Sequence, residues 1–292
     1  MPQTSTTGSL ENASREMITT ARYTEEHNAP CMELVEKFQL QKGSDTLIVP
    51  KVGQMTVSAL TEGQDLVDEE EIGMSTVSVQ ASEVGAKIII TDKLLRENTQ
   101  QIWQIVGRQL GEAMARKKDG DILDLFSSLN GGTALGAAAA AFSIANVTSC
   151  IGVAKAEKYG SDLRIVHHPN AVLRLNKDLT GVAYPSATIR PIPSGYSADR
   201  LDAYWTGLRM GGVAIFEDGN IDEDANGDGY GAIFDKGALG VLTSVAMNRE
   251  RQRDASLRAT ELVITSDYSA FEIDDSRGAS LFYDIANPST SA

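Results

Sequence analysis

The side chains best equipped for chemistry sit in Asp222-Glu223-Asp224-Ala225-Asn226-Gly227-Asp228. Oxygen-bearing side chains stand at positions 1, 3 and 5 of this run and glycine at position 6. A calcium loop wraps a hard cation in this way, alternate side chains converging while glycine permits the sharp turn. Asp222, Asp224, Asn226 and Asp228 would be the ligands. Position 12, however, is Ile233 where a bidentate glutamate belongs, and no flanking helices are expected. An acidic surface turn is the better reading, with calcium as its rival. His167 and His168 invite a metal or general-base reading, but neighbours on a strand point to opposite faces, and the only other histidine is His27. They read as an ordinary strand-end pair before Pro169. Gly227-Asp-Gly-Tyr-Gly231 has the wrong glycine spacing for a dinucleotide loop. Walker, nucleophile-elbow and zinc-protease motifs are missing from the sequence. No catalytic residue and no cofactor is expected.

Charge offers a second kind of chemistry, recognition. Thr61 to Glu71 carries Glu62, Asp65, Asp68, Glu69, Glu70 and Glu71 without a base. Such a stretch repels itself and extends unless a cationic surface receives it. Arg249, Arg251 and Arg253 alternate, so on a strand they share one face, and Arg116, Lys117 and Lys118 form a second basic cluster. The whole chain of 292 residues has 40 acids against 26 bases, a formal net charge of -14. That balance argues against a dedicated nucleic-acid surface, which needs a basic footprint. Cys31 and Cys150 are too few for a disulfide framework or metal cluster and read as reduced, buried thiols. MPQTSTTGSL lacks the basic and apolar regions of a signal peptide, and no apolar run reaches membrane-spanning length.

The elements that must position these groups centre on Thr91 to Leu129. Apolar residues at Leu95, Ile102, Ile105, Val106, Leu110, Ala113, Met114, Ile122, Phe126 and Leu129 recur mostly at intervals of three and four. This predicts one apolar stripe on a helix of about 55 Å, at ~1.5 Å per residue, opening at the cap Asp92. A break near Gly120 is the alternative. Arg108, Glu112, Arg116, Lys117, Asp119 and Asp121 would form its solvated face. Upstream, residues 1–45 read as an arm with a short helix from Met32 to Phe38, their first ten too polar to order alone. Strand patterns follow at Leu47–Val49, ended by Pro50, then at Met55–Ala59, Val77–Ala81 and Lys87–Thr91. Beyond the glycine-rich 130–136 come a helix at 144–159, a strand at 163–167, a helix at 170–179, a proline-punctuated irregular stretch at 181–207, and short strands at 212–216 and 231–234. Two final strands, 259–266 and 279–285, are expected to pair and rejoin the long helix as a discontinuous domain.

This order of parts resembles the tailed-bacteriophage major capsid proteins of the Hong Kong 97-type shell fold. The resemblance rests on Ala59-Leu-Thr-Glu-Gly63 in a long loop, Glu83-Val-Gly-Ala-Lys-Ile-Ile-Ile-Thr-Asp92 leading into the spine, and Leu110-Gly-Glu-Ala-Met-Ala-Arg-Lys-Lys-Asp119 in its body. Leu163-Arg-Ile-Val-His-His-Pro169, Tyr230-Gly-Ala-Ile-Phe-Asp-Lys-Gly-Ala238, Arg251-Gln-Arg-Asp-Ala255 and Asp275-Ser-Arg-Gly278 continue it. It implies an α+β chain with an N-terminal arm (1–45), strands carrying an extended β-hairpin loop (46–91, tip about 52–81), a peripheral-domain spine helix (92–132), an axial domain (133–246) and returning peripheral strands (247–292). It implies a non-enzymatic subunit of an icosahedral virion capsid around double-stranded DNA, assembled in the host cytoplasm as hexamers and pentamers. A separate scaffolding protein and a portal are the expected partners, with a decoration protein left open, DNA contacted weakly and no membrane. The acidic tip (Glu62, Asp65, Asp68, Glu69, Glu70, Glu71) would meet a neighbour's basic strand (Arg249, Arg251, Arg253) or spine (Arg116, Lys117, Lys118). Lys51 lies near the loop, but no cross-linking residue is assigned. An encapsulin-type compartment is the nearest alternative, a calcium-binding surface or adhesion protein the next, and an enzyme the third.

Overall fold

The computed structural model describes residues 31–41, 43–52, 62, 74–97, 101–183 and 208–287. The first thirty residues, most of the loop tip with its expected Met55–Ala59 strand, and positions 184–207 lie outside them. The first described elements are α1 (Cys31–Leu34) and β1 (Glu36–Gln39). The helix expected from Met32 to Phe38 thus divides in two. Its second half pairs parallel with β10 (Leu239–Asp254), Glu36 opposite Gly240 and Gln39 opposite Thr243. Phe38 meets Phe271 there at 5.7 Å between ring centroids. Sheet pairing and an aromatic contact outweigh a weak local helix preference.

The ribbon of β2 (Thr46–Val52) and β3 (Met74–Gln80) runs straight through Pro50, opposite Thr76, where a strand end is expected. A two-stranded ribbon has only edges, and an edge tolerates a residue without an N–H. Val77 and Val79 alternate inward as their spacing predicts, packing with Leu47 and Val49 toward Leu242 and Phe271.

Next come β4 (Ser82–Thr91), α2 (Asp92–Glu97) and α3 (Gln101–Asp124), the last closed by a 3-10 turn at Leu125–Ser127. The helix runs unbroken through Gly120, where a break is the alternative expectation, and positions 98–100 lie outside the described residues. A Cβ placed at Gly111 or Gly120 would meet nothing within 4 Å, so neither glycine marks a close approach. The 24 residues of α3 span about 36 Å at ~1.5 Å per residue.

Two sheets receive this helix. The four-stranded sheet has the order β1-β10-β11-β4, with β11 at Ala259–Glu272. On β4 and β11, Ile90, Leu262 and Ile264 pack against Val106, Leu110 and Met114 of α3. The six-stranded sheet comprises β5 (Leu135–Gly136), β6 (Leu163–His167), β7 (Leu208–Met210), β8 (Val213–Glu217), β9 (Asp228–Asp235) and β12 (Gly278–Asp284). Its order is β5-β12-β9-β6-β8-β7. Helices α4 (Ile144–Ala156), capped by Ser143, and α5 (Pro169–Ala183) contribute Val147, Ile151, Ala154, Val172 and Leu175 to its core. So do Ile122 and Leu123 from the end of α3, with Phe126 and Leu129.

The expected single stripe is therefore two. At 3.6 residues per turn, Val106, Leu110 and Met114 lie on one side of α3 while Ile122 and Leu123 centre on the roughly opposite side. The helix covers one sheet with its first half and the other sheet with its second. The last strand also departs from expectation. β11 joins β4, as a returning strand should, but β12 pairs antiparallel with β9, Ser280 opposite Ala232, rather than with β11. Its buried Ala279, Leu281 and Tyr283 complete the six-stranded core.

Phe126 is fully buried and its ring lies 5.5 Å from that of Phe234 on β9. Phe126→Ala should lower unfolding stability by about 3–5 kcal/mol in denaturant titration. A cost below about 1 kcal/mol would mean that this attachment of the spine contributes little.

Candidate functional site

The 222–228 loop folds around Asp224. Its Oδ1 accepts the backbone N–H of Asn226 at 2.8 Å and of Asp228 at 2.9 Å. Its own N–H donates to the Asp228 carbonyl at 2.8 Å, and Gly227 takes positive φ. These donors hold the Asp224 carboxyl below the usual carboxylate range. Asp228 is buried, and its Oδ1 accepts from the Ala139 N–H at 2.8 Å, across the loop in a different chain segment. Asp222 is exposed. The calcium pattern in the sequence thus corresponds to a hydrogen-bonded turn in which one carboxylate serves the backbone and another ties the loop to residue 139.

His167 closes β6, and His168 follows the strand, partly buried. His167 is wholly buried, its ring 4.8 Å from Phe142 and 6.1 Å from Tyr283. Its Nδ1 accepts from the His168 N–H at 2.9 Å. Burial pushes its pKa down to about 3, so the imidazole stays neutral and serves as a core side chain. Nearby, the Cys150 thiol and the Tyr283 hydroxyl lie 3.2 Å apart, also inside the core.

The recognition residues divide. Glu62 is an exposed turn residue, while Asp65, Asp68, Glu69, Glu70 and Glu71 lie outside the described residues. Positions 249, 251 and 253 stand opposite Ile264, Leu262 and Thr260. Paired residues on antiparallel strands share a face, so Arg251 and Arg253 project on the side of the sheet that α3 covers. Arg253 bonds Asp92 at 2.9 Å, at the start of its own α2. On the spine Arg116 is exposed, Lys117 pairs with Asp121 at 2.5 Å, and Lys118 lies 5.1 Å over the Tyr268 ring. Lys51 is ion-paired with Asp274.

One polar centre was not expected. Asp119, assigned by spacing to the solvated face, is fully buried where α3 passes from one sheet to the other. Its Oδ1 accepts the Cys31 N–H at 3.1 Å and its Oδ2 the Asn220 side-chain amide at 3.0 Å. Beside it the buried Asp218 accepts the Asn220 N–H at 2.9 Å and the Cys31 thiol at 3.2 Å. Cys31 Sγ and one oxygen from each carboxylate lie within 4.8 Å of one another. A thiol with two carboxylates is a donor set zinc accepts, though here each acidic oxygen already accepts a hydrogen bond from Cys31 or Asn220. The signal was available, since Asp119 precedes the core residues Ile122 and Leu123 by three and four positions. It was obscured by reading α3 as one-faced. Cys31 and Cys150 are both free and buried, as their number suggests. Among the described residues no helix is long and apolar enough to cross a membrane.

A 24-residue helix thus joins two sheets, and a two-stranded ribbon packs against the four-stranded one. The phage capsid protein family matches residues 74–280, well over half of the chain. The chain belongs to that family. Solved structures of similar fold include a protein of Mycobacterium phage Che8, 16% identical with a TM-score of 0.63, the match covering 82% of this chain and 84% of that one. The capsid of cyanophage P-SCSP1u is 14% identical with a TM-score of 0.61 over 87% of each chain. An encapsulin complex from Synechococcus elongatus is 12% identical with a TM-score of 0.63 over 90% of each. No curated protein matches. The protein is a major capsid protein with the Hong Kong 97-type fold, a structural component of the virion capsid.

The loop geometry predicts that Asp224→Ala lowers the thermal midpoint with or without a calcium chelator, because two backbone donors lose their acceptor. Chelation of the wild type should leave its midpoint unchanged. Because the Asp224 pKa is depressed on folding, its contribution is present above the ordinary carboxylate range and lost as pH falls through the lowered value. A chelator-induced drop that Asp222→Ala abolishes would instead establish a cation site.

Proposed function

We propose that copies of this chain close into an icosahedral wall of hexamers and pentamers around double-stranded DNA, without a catalytic step. The observation that carries this reading is the family match itself, because residues 74–280 contain the spine and almost all of both sheets. Many modest interfaces, repeated by symmetry, supply the free energy of such a wall. The acidic balance suits the task, since a wall that bound phosphate strongly would hinder packing and release of the genome. Assembly takes place in the host cytoplasm, with a scaffolding protein and a portal supplied as separate chains. The encapsulin likeness concerns fold alone, and particle contents separate the two readings. Purified particles should be hollow polyhedra by negative-stain microscopy and should protect DNA from nuclease when taken from infected cells. A small discrete monomer, or particles holding only protein cargo, would overturn the proposal.

Subunit recognition in this reading is electrostatic. The tip acids Glu62, Asp65, Asp68, Glu69, Glu70 and Glu71 dock on a neighbour's surface near Arg116, Arg251 and Arg253. Exposure of Glu62 and Arg116 supports it, as does the placement of Arg251 and Arg253 on one sheet face beside the spine. The Arg253–Asp92 pair makes the strand's charge partly internal, which shifts weight toward Arg116. Each exposed pair is worth no more than about 1 kcal/mol and is screened beyond roughly 10 Å at 0.1 M salt. Repetition around a shell multiplies it. Replacing Glu69, Glu70 and Glu71 together by lysine should block assembly, and reversing Arg116, Arg251 and Arg253 to glutamate should restore part of it. Wild-type assembly by the triple lysine variant at low salt would show that the tip charge is merely solvated.

A further inference from the structure

We propose that Asp119 and Asp218 form a proton-operated clasp that fastens the Cys31–Val35 strap to the crossing point of spine and sheets. The geometry comes from three chain segments. Cys31 opens α1 and presents both its N–H and its thiol to the carboxylates. Asp119 comes from α3, and Asp218 follows β8, its N–H held by the His167 carbonyl at 3.1 Å. Asn220 donates to both carboxylates and locks them side by side. Two buried carboxylates in one site cannot both ionise cheaply, so the closed form holds a proton between them.

Among the described residues, the surroundings offer no substitute for that proton. From α1 the facing titratable group is the Cys31 thiol, itself pushed up by burial and by the two aspartates. From the 218–220 stretch come Asp218 and the neutral Asn220. The neighbours of Asp119 on α3 turn elsewhere, Lys118 over Tyr268, Asp121 onto the Tyr268 hydroxyl at 2.6 Å, and Lys117 onto Asp121. On β6, Arg164 spends one nitrogen on the Leu34 carbonyl at 2.7 Å and another on Asp162 at 2.6 Å. Among the described residues no cation acts on Asp119; burial first, and then Asp218, push its pKa up to about 8. A carboxyl raised on folding stabilises fully below its ordinary range, and that stabilisation is lost as pH rises toward the raised value. The clasp is therefore closed on the acid side and loosens through neutrality. Arg164 at Leu34 and the β1–β10 pairing hold the far end of the strap, so opening is confined to the Cys31 end.

Amide hydrogen exchange of the full-length protein tests this, reported as protection factors so that intrinsic exchange cancels. Protection at Cys31–Val35 should fall about tenfold or more between pH 6 and pH 9, while amides of β9 hold constant. Asp119→Asn, which carries no titrating proton, should flatten the profile. If that variant fails to fold, Asp218→Asn takes its place, since its side chain can still accept from Asn220; it removes the neighbouring charge but not the burial of Asp119, so the fall should shrink rather than vanish. A flat wild-type profile would overturn the proposal. So would a wild-type fall that persists unchanged in the folded variant.

Discussion

A single helix that must bury two opposite faces constrains everything else in this chain. The first half of α3 lies on the four-stranded sheet through Val106, Leu110 and Met114. The second half turns Ile122 and Leu123 into the six-stranded core. Each sheet has an apolar face that this helix helps to cover, alone among the described helices in serving both. Between the two stripes the helix backbone passes from one environment to the other, and a residue there faces protein on what would otherwise be its solvent side. That residue is Asp119. Asp121 and Lys118, two positions on and one before, look the other way, onto Tyr268 of β11. The polar residues of this segment thus sort by the same helical geometry as the apolar ones.

A buried carboxylate at the crossing has to be satisfied, and the chain brings two distant segments to do it. Cys31 arrives from the N-terminal strap and Asn220 from the loop after β8. The strap then runs on as β1 along the edge of β10. Satisfying one polar group therefore links the N-terminal segment, the spine and the six-stranded sheet. A buried hydrogen-bonded network of this kind also specifies one arrangement of helix against sheet, because any slip leaves donors or carboxylates unpaired.

Local patterns in the sequence were informative wherever one element met one environment. The β-branched run at Lys87–Thr91, the helix starting after Ser143 and the apolar Leu163–His167 strand all form where their spacing puts them. Patterns misled wherever tertiary structure supplied a second environment. A two-faced helix reads as a one-faced helix with a charged back, so Asp119 went to the solvent side. Pro50 reads as a terminator unless the strand is known to lie in a ribbon with only edges. The half-helix at 36–39 becomes a strand because an edge of β10 is waiting for it. β12 was legible as a strand, but its choice of β9 over the adjacent β11 depends on which core still needs Leu281 and Tyr283. The spacing in 222–228 coincides with a tight turn: Asp224 accepts two backbone donors within the loop, and Asp228, four positions on, ties it to residue 139.

If the two-faced spine joins both sheets into one cooperative unit, they should open together. Amide exchange measured at rising sub-denaturing urea reports the opening free energy of each sheet separately. Ile264 on β11 and Ile233 on β9 are both fully buried and sit in the two different cores. Their exchange isotherms in the full-length subunit should converge on one line with a shared slope as urea rises. Separate lines, with one sheet opening at lower urea and a smaller slope while the other keeps its protection, would contradict the spine as the element that unites the fold.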